Sequence, residues 1–445
     1  VTAQATRLPT VVYVLGAGIF LMGTTEFMLA GLLPEVAGDL GVDIGRAGLL
    51  VTAFAVGMII GPPVMALATV RLPAKATLIG ALAVFAFGHV LGAVSDSFTV
   101  VTASRVVTAL ATGTFWAVGA VTATRAAGPG ASARALAVMS GGLSLAVVAG
   151  VPLGTFAGQL TGWRGSFWIL AILSLVTIVA VVKLTPADDR ETAAVSLRAQ
   201  LSAEVAGVRP WRMWVVLAVI TLAQAGFLGA YSYISPLLTD RAGIASALVP
   251  LVLVGFGIGA VGGTALGGRL GDRFPLPVIA AAITATATLL LVLAATASHS
   301  LIVVGVVVLL GATGLGANPV LIAQTMRHAA PGSTLASSLA TAAFNLGTAA
   351  GSALAATTLT TALGVVGPAV LGAGLTASAL IPLALLAATA RHRPPPPTPG
   401  ATENQRARPR PITAARNHFS TSAIEEQSPC EPTSPPQPAA TACAS

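Results

Sequence analysis

The stretch VVYVLGAGIFLMGTTEFMLAGLL, residues 11–33, decides the fold. Apart from Glu26 it is uncharged, and a helix crossing the hydrocarbon layer of a bilayer needs about 20 predominantly apolar residues. It is longer than the apolar core of a signal peptide and lacks a clear cleavage site, so it reads as a first spanning helix rather than a leader. Lipid offers no hydrogen-bond partner to the backbone, so such a run must be helical.

Outward from it, comparable runs stand near 47–69, 77–94, 99–124, 135–160 and 166–184, and, after a polar gap, near 213–235, 248–267, 278–297, 301–324, 335–358 and 368–390. The expectation is an all-α membrane protein of twelve transmembrane helices in two six-helix bundles, 1–184 and 213–390. A cytoplasmic linker, 185–212, would join them, and a disordered Pro/Arg-rich cytoplasmic tail, 391–445, would follow. The composition agrees: 55% of the residues are hydrophobic and 9% charged, against roughly 25% charged in soluble domains.

The net charge of +8 does not point to nucleic acid, because the basic residues sit in short loops rather than on one face. With the N-terminus inside, 19 of the 23 Lys and Arg fall on the cytoplasmic side. That places both termini in the cytoplasm of a multi-pass cell-membrane protein. Cys430 and Cys443 both lie in the tail, so neither a disulfide framework nor a metal centre is expected, and no cofactor is called for. The spans carry no paired acids, HExxH or nucleophile with a base, which argues against an enzyme.

The halves repeat. An offset of 202 residues carries Pro34 onto Pro236, Gly57 onto Gly259, Gly61 onto Gly263 and Arg71 onto Arg273. Two pseudo-symmetric halves with a site between them at mid-depth are how many carriers are built. Small residues recur at every fourth position in the second span (Ala53, Gly57, Gly61), the fifth (Gly142, Ala146, Gly150, Gly154, Gly158), the eighth (Gly255, Gly259, Gly263, Gly267) and the eleventh (Ala343, Gly347, Gly351, Ala355). Such stripes allow close helix approach in lipid, and these four helices are expected to form the contact between halves.

Of the 15 acids, one falls within a span, Glu26, and its cationic counterpart is Arg105. A charge at membrane depth marks function by default. Both lie about seven residues from the outer helix ends, or roughly 10 Å deep, which permits pairing or a shared cavity. Burial disfavours a carboxylate and a nearby cation favours it, so a moving Glu26 could load and release a proton. One charge crossing about 100 mV supplies about 2.3 kcal/mol, enough with a proton gradient to drive uphill export. His89, near the outer end of its helix, reads as an interfacial side chain.

GVPLG at 150–154 followed by GWRGSFW at 162–168, Arg105 in the fourth span, TTEFMLAGLLPEVAGDL at 24–40, GANPVL at 316–321 and FNLGTAAG at 344–351 together resemble the major facilitator superfamily. The likeness covers about residues 11–390 and is strongest to its twelve-helix drug:proton antiporters of the chloramphenicol-efflux kind. It implies an antiporter motif at Gly150, Pro152 and Gly154. It also implies a gating loop between the second and third spans. Arg71 and Lys75 keep that loop's pattern, while Val70 and Pro73 depart from it. The second copy, with Gly268, Asp272 and Arg273, matches better.

The resemblance further implies a cavity lined by helices 1, 4, 7 and 10, with help from their neighbours. Candidate lining residues are Met22, Phe115, Trp116, Gln224, Phe227, Tyr231, Tyr233, Asn318 and Asn345. Apolar and aromatic walls with few polar groups suit a small, neutral, aromatic drug. The expected partners are such a drug, protons and the bilayer, for a protein acting as a monomer. An exporter of sugars or other small metabolites is the alternative.

Overall fold

The computed structural model describes residues 8–68, 72–128, 131–185, 208–329 and 334–391. Arg71, most of the expected linker and the tail beyond 391 lie outside the described residues. Among the described residues, twelve helices are long and apolar enough to cross a membrane: α1 Thr10–Gly31, α2 Ile44–Pro62, α3 Ala74–Val94, α4 Phe98–Ala127, α5 Arg134–Thr161, α6 Trp163–Leu184, α7 Trp211–Tyr231, α8 Ser246–Arg273, α9 Pro275–Ala295, α10 Ser300–His328, α11 Leu335–Thr358 and α12 Gly364–Thr389. Among the described residues there is no strand.

The helices are internally saturated, as lipid demands. Many threonines return their hydroxyls to the carbonyl four residues back, as Thr112 does to Thr108 at 2.8 Å. Prolines sit where no N–H is needed: Pro250, Pro275, Pro319 and Pro368 fall in the first turn of a helical segment. Pro152 stands inside α5, just after a wider turn over Ala146–Gly150. Its missing N–H leaves a carbonyl of the preceding turn without its usual donor, and the widened turn absorbs the mismatch.

The glycine stripes pack inside each half. A Cβ on Gly142 would strike Gly16, one on Gly150 would strike Thr24, and one on Gly154 would reach Met28, so α5 lies against α1. Gly57 and Gly61 abut Ala109 and Leu110, joining α2 to α4. Gly259 and Gly263 abut Val308 and Ala312, joining α8 to α10, and Gly347 and Gly351 abut Thr221 and Ala225, joining α11 to α7. The pairs α1–α5 and α2–α4 are therefore repeated as α7–α11 and α8–α10. Gly57 and Gly61 do the same work as Gly259 and Gly263, at the offset read from the sequence.

The halves do meet through α2, α5, α8 and α11, but by other faces than the stripes. Gly45 and Gly48 of α2 approach Ala356 and Tyr233, and the Ser352 hydroxyl donates to the Gly48 carbonyl at 3.4 Å. Gly257, two residues off the α8 stripe, backs onto the main chain of Val147 and Val148 in α5. The Gln159 side-chain amide donates to the Ser246 carbonyl at 2.6 Å.

Except for the Gly257 contact, which meets the middle of α5, these contacts lie toward the far end, where α1 closes at Gly31. The larger apolar core runs through the first six helices and crosses to the last six there, taking in Tyr231, Ile234, Leu253 and Ala355. A second core, with Met213, Ile220, Ile279, Leu321 and Ala340, belongs to the last six helices alone and lies toward the near end. The halves thus share a core at one end and not at the other.

Candidate functional site

Glu26 follows Thr25 on α1, so the two side chains point about 100° apart around the helix. Glu26 lines a cavity together with Phe27 and Ala30 of α1, Val51, Phe54 and Ala55 of α2, Leu228, Tyr231 and Ser232 at the end of α7, and Asn345 and Thr348 of α11. The cavity is therefore built by both halves. Its wall is apolar and aromatic, with the Glu26 carboxylate, the Asn345 amide and a few hydroxyls as its polar groups. The Asn345 amide donates to the Thr341 carbonyl at 3.0 Å, which holds that side chain along its own helix.

Arg105 is almost wholly buried, at 1% exposure, and is held by the residue before Glu26. Its Nη1 donates to Thr25 Oγ1 at 2.8 Å and its Nη2 to the Thr25 carbonyl at 2.9 Å. The guanidinium lies over the Phe54 ring, 4.5 Å from its centre. Among the described residues no ion pair within 4.0 Å joins Arg105 to Glu26. Pairing of the two membrane charges is thus not made here: Thr25 takes both Nη donors, and Phe54 touches the cation on one side and the cavity on the other.

His89 is fully buried, not interfacial. Its Nδ1 lies 2.9 Å from the Phe85 carbonyl and its Nε2 2.8 Å from Thr25 Oγ1. A carbonyl only accepts, so Nδ1 carries the hydrogen. The Thr25 hydroxyl accepts from Arg105 and donates to Nε2. One threonine side chain therefore ties α1, α3 and α4 together beside the cavity acid. Phe85 and Phe167 pack their rings on the imidazole at 4.3 and 5.2 Å. Sequence reasoning missed Thr25, Phe54 and the burial of His89. The adjacency of Thr25 to Glu26 was the available signal, but nothing local says that two distant helices converge on it.

The expected lining residues separate into groups. Tyr231 and Asn345 line the Glu26 cavity. Phe227 and Tyr231 border a second, apolar space, where Phe227 and Tyr231 stack on Phe256 at 6.1 and 4.6 Å. Gln224, Phe227 and Asn318 border a third, inside the last six helices. Met22, Phe115, Trp116 and Tyr233 line none of the three. Met22 and Phe115 are buried in the larger core, where Phe115 fills the space over Gly18, and Trp116 packs partly buried against that core. Tyr233 donates to the Ser352 carbonyl at 3.1 Å and closes the far-end contact with α2. The Glu26 cavity wall comes from α1 and α7 of the expected set together with α2 and α11, which also carry the contact between halves.

The motif residues take structural places. Gly162, at φ 77°, adopts the left-handed conformation that turns the chain from α5 into α6. Trp163 donates to Asp39 at 2.8 Å, and Arg164 pairs with Asp39 and, at 2.7 Å, with Asp96. The Ser166 hydroxyl donates to the Gly154 carbonyl at 2.6 Å. At the near end Lys75 donates to the Thr185 carbonyl at 2.8 Å, bracing α3 against the end of α6. Gly268 has open space around it, Asp272 and Arg273 are exposed, and Arg273 lies over the Phe274 ring at 5.2 Å.

Among the described residues, twelve helices able to span a membrane in two repeated sets, with a cavity lined by Glu26 between them, are the build of a membrane carrier. The chain matches the family model of the Major Facilitator Superfamily over residues 15–337 and again over 243–425, and it belongs to that family. It is therefore a transporter and not an enzyme. It is 39% identical over 361 residues to a chloramphenicol resistance protein of Streptomyces lividans, covering 81% of this chain and 92% of that one. It is 30% identical over 274 residues to the putative transporter AraJ of Escherichia coli (strain K12), covering 62% and 68%. A bacterial homolog of the human lysosomal transporter Spinster, solved in an inward-facing and unoccupied conformation, shares the fold with a TM-score of 0.67 at 15% identity, over 86% of this chain and 96% of that one.

Proposed function

We propose that this chain is a proton-coupled antiporter that exports chloramphenicol or a similar small, neutral, aromatic antibiotic, and that it confers resistance. The observation that carries the reading is Glu26: among the described spanning helices the only acid away from a terminal turn, free of an ion pair among the described residues, in an apolar and aromatic cavity to which both halves contribute. The similarity to a chloramphenicol resistance protein supports the choice of substrate.

With both termini in the cytoplasm, the shared core at the far end closes the outside and the carrier faces inward. A neutral drug enters from the cytoplasm or inner leaflet. A proton taken up by Glu26 from outside is released inside as the halves rock, and the drug leaves on the opposite stroke. Arg105, fixed on Thr25, supplies a constant positive charge beside the acid. The segment with Gly150, Pro152 and Gly154 lets α5 flex where it meets both α1 and α8, and Arg71, Lys75, Gly268, Asp272 and Arg273 act at the cytoplasmic gate. The carrier works as a monomer.

Export of a sugar or other metabolite is the second reading, favoured by the similarity to AraJ. Sugar sites use many hydrogen-bonding side chains, and the Glu26 cavity offers few.

The test is drug-driven proton movement in everted vesicles. Glu26→Gln should abolish proton-coupled efflux, a loss of at least about 100-fold if the proton step is obligatory, while the protein remains folded in the membrane. Full export by that variant would refute the assignment of Glu26. An unchanged inhibitory concentration of chloramphenicol in cells expressing the wild type would refute the substrate.

A further inference from the structure

The third cavity is small, with room for a single polar group, and lies wholly within the last six helices. Gln224 of α7, Thr286 of α9 and Thr376 of α12 line it, and they are 1%, 2% and 1% exposed. Gln224 Nε2 donates to Asn318 Oδ1 at 3.0 Å. Gln224 Oε1, Thr286 Oγ1 and Thr376 Oγ1 are buried and have no hydrogen-bond partner.

That state is unusual for this chain. Thr102, Thr112, Thr114 and Thr325 all send their hydroxyls to a carbonyl four residues earlier. The same local partner is on offer to any helical threonine. Thr286 and Thr376 leave it unused, on the wall of the cavity where the Gln224 oxygen is also unsatisfied. A buried polar atom without a partner is expensive, and three on one cavity call for an occupant.

The donor set defines the occupant. An amide oxygen only accepts, so the guest must donate, whereas a threonine hydroxyl can give or take. A hydroxyl group meets both demands with one atom. No lining residue is charged, so a charged guest group would lie unpaired. The remaining wall, including Phe227, Ile283 and Leu321, is apolar. Phe227 also borders the second cavity and Tyr231 joins that to the first, so an aromatic wall runs from this pocket to the Glu26 site.

We infer that Gln224, Thr286 and Thr376 form a hydroxyl-binding subsite, distinct from the Glu26 cavity, that receives an alcohol group of the neutral exported compound. The inference rests on the proposed export function and narrows its substrates to neutral alcohols. Proton coupling and alcohol recognition then sit on opposite halves.

The experiment compares equilibrium binding of chloramphenicol, a neutral compound with free hydroxyls, with that of its diacetylated form. The proteins are the wild type, Thr286→Val, Thr376→Val, the double variant, and Thr177→Val as a control. The Thr177 hydroxyl is already satisfied by the Leu173 carbonyl at 2.8 Å. Each pocket substitution should weaken chloramphenicol binding about tenfold. The double variant should no longer distinguish the drug from its diacetylated form, and Thr177→Val should bind as the wild type does. If the wild type binds chloramphenicol but the pocket variants bind it equally well, the cavity holds solvent only and the inference falls while the export reading stands. If the wild type binds neither compound, both fall.

Discussion

At the residue scale, Thr25 is the junction of the site. Its hydroxyl accepts from Arg105 and donates to His89, and its carbonyl takes the second guanidinium donor. Thr25→Val keeps the shape but leaves Arg105 Nη1 and His89 Nε2 without a partner, at a cost of about 1–3 kcal/mol. Unfolding of the purified variant should show that loss, and the loss should be less than additive with His89→Leu because one network is broken twice. Arg105→Lys should restore little, since an ammonium cannot span the Thr25 hydroxyl and carbonyl as the planar fork does.

A second acid behaves differently. Glu35 lies beyond α1 on the short helix Leu33–Asp39, and one carboxylate oxygen is buried without a partner. Burial holds its pKa above the ordinary 4.5. A folded pKa above the unfolded one means stability that is complete at low pH and is lost as pH rises through the raised value. Wild type should therefore melt at progressively lower temperature as pH rises from the ordinary carboxyl value through the raised one, and Glu35→Gln should flatten that slope. Equal slopes in melting experiments would place Glu35 in water.

At the element scale, spacing and facing part company. The α8 stripe was expected to touch the other half, yet Gly259 and Gly263 press on α10, and Gly257 makes the contact with α5. Every-fourth spacing says only that a helix approaches some neighbour closely, and lipid exerts no preference for which. Gly263→Ala should destabilise by about 1–3 kcal/mol or more, because the new methyl meets the Ala312 main chain. Gly262→Ala, with open space around it, should leave folding unchanged. Yields and melting temperatures of the two variants check the assignment, and equal behaviour would show that the α8–α10 seam is loose.

For the molecule as a whole, the division of the core matters most. One core crosses between the halves at the far end, and the second belongs to the last six helices alone. Rocking requires the far-end contact to open. A Cβ on Gly45 would sit 3.7 Å from the Ala356 Cβ, within the range a disulfide spans. In a background with Cys430 and Cys443 replaced, Gly45→Cys with Ala356→Cys should cross-link on oxidation and stop export, and reduction should restore it. Wild-type export by the cross-linked protein would exclude rocking about this contact.

Helix number and order were readable along the chain. Lipid forces each span to satisfy its own backbone, so the information is confined to runs of about 20 residues. The repeat was equally local, and so was the isolation of Glu26 among apolar residues. The direction in which each side chain points around its helix was not readable, because azimuth depends on partners far away: Ser352 and Gly48 are 304 residues apart when they meet. Hence Tyr233 left the expected cavity for the far-end seam, Met22 and Phe115 went into the core, and Arg105 found Thr25 rather than Glu26. The spans are written into single segments, whereas facing emerges only once the helices pack against one another.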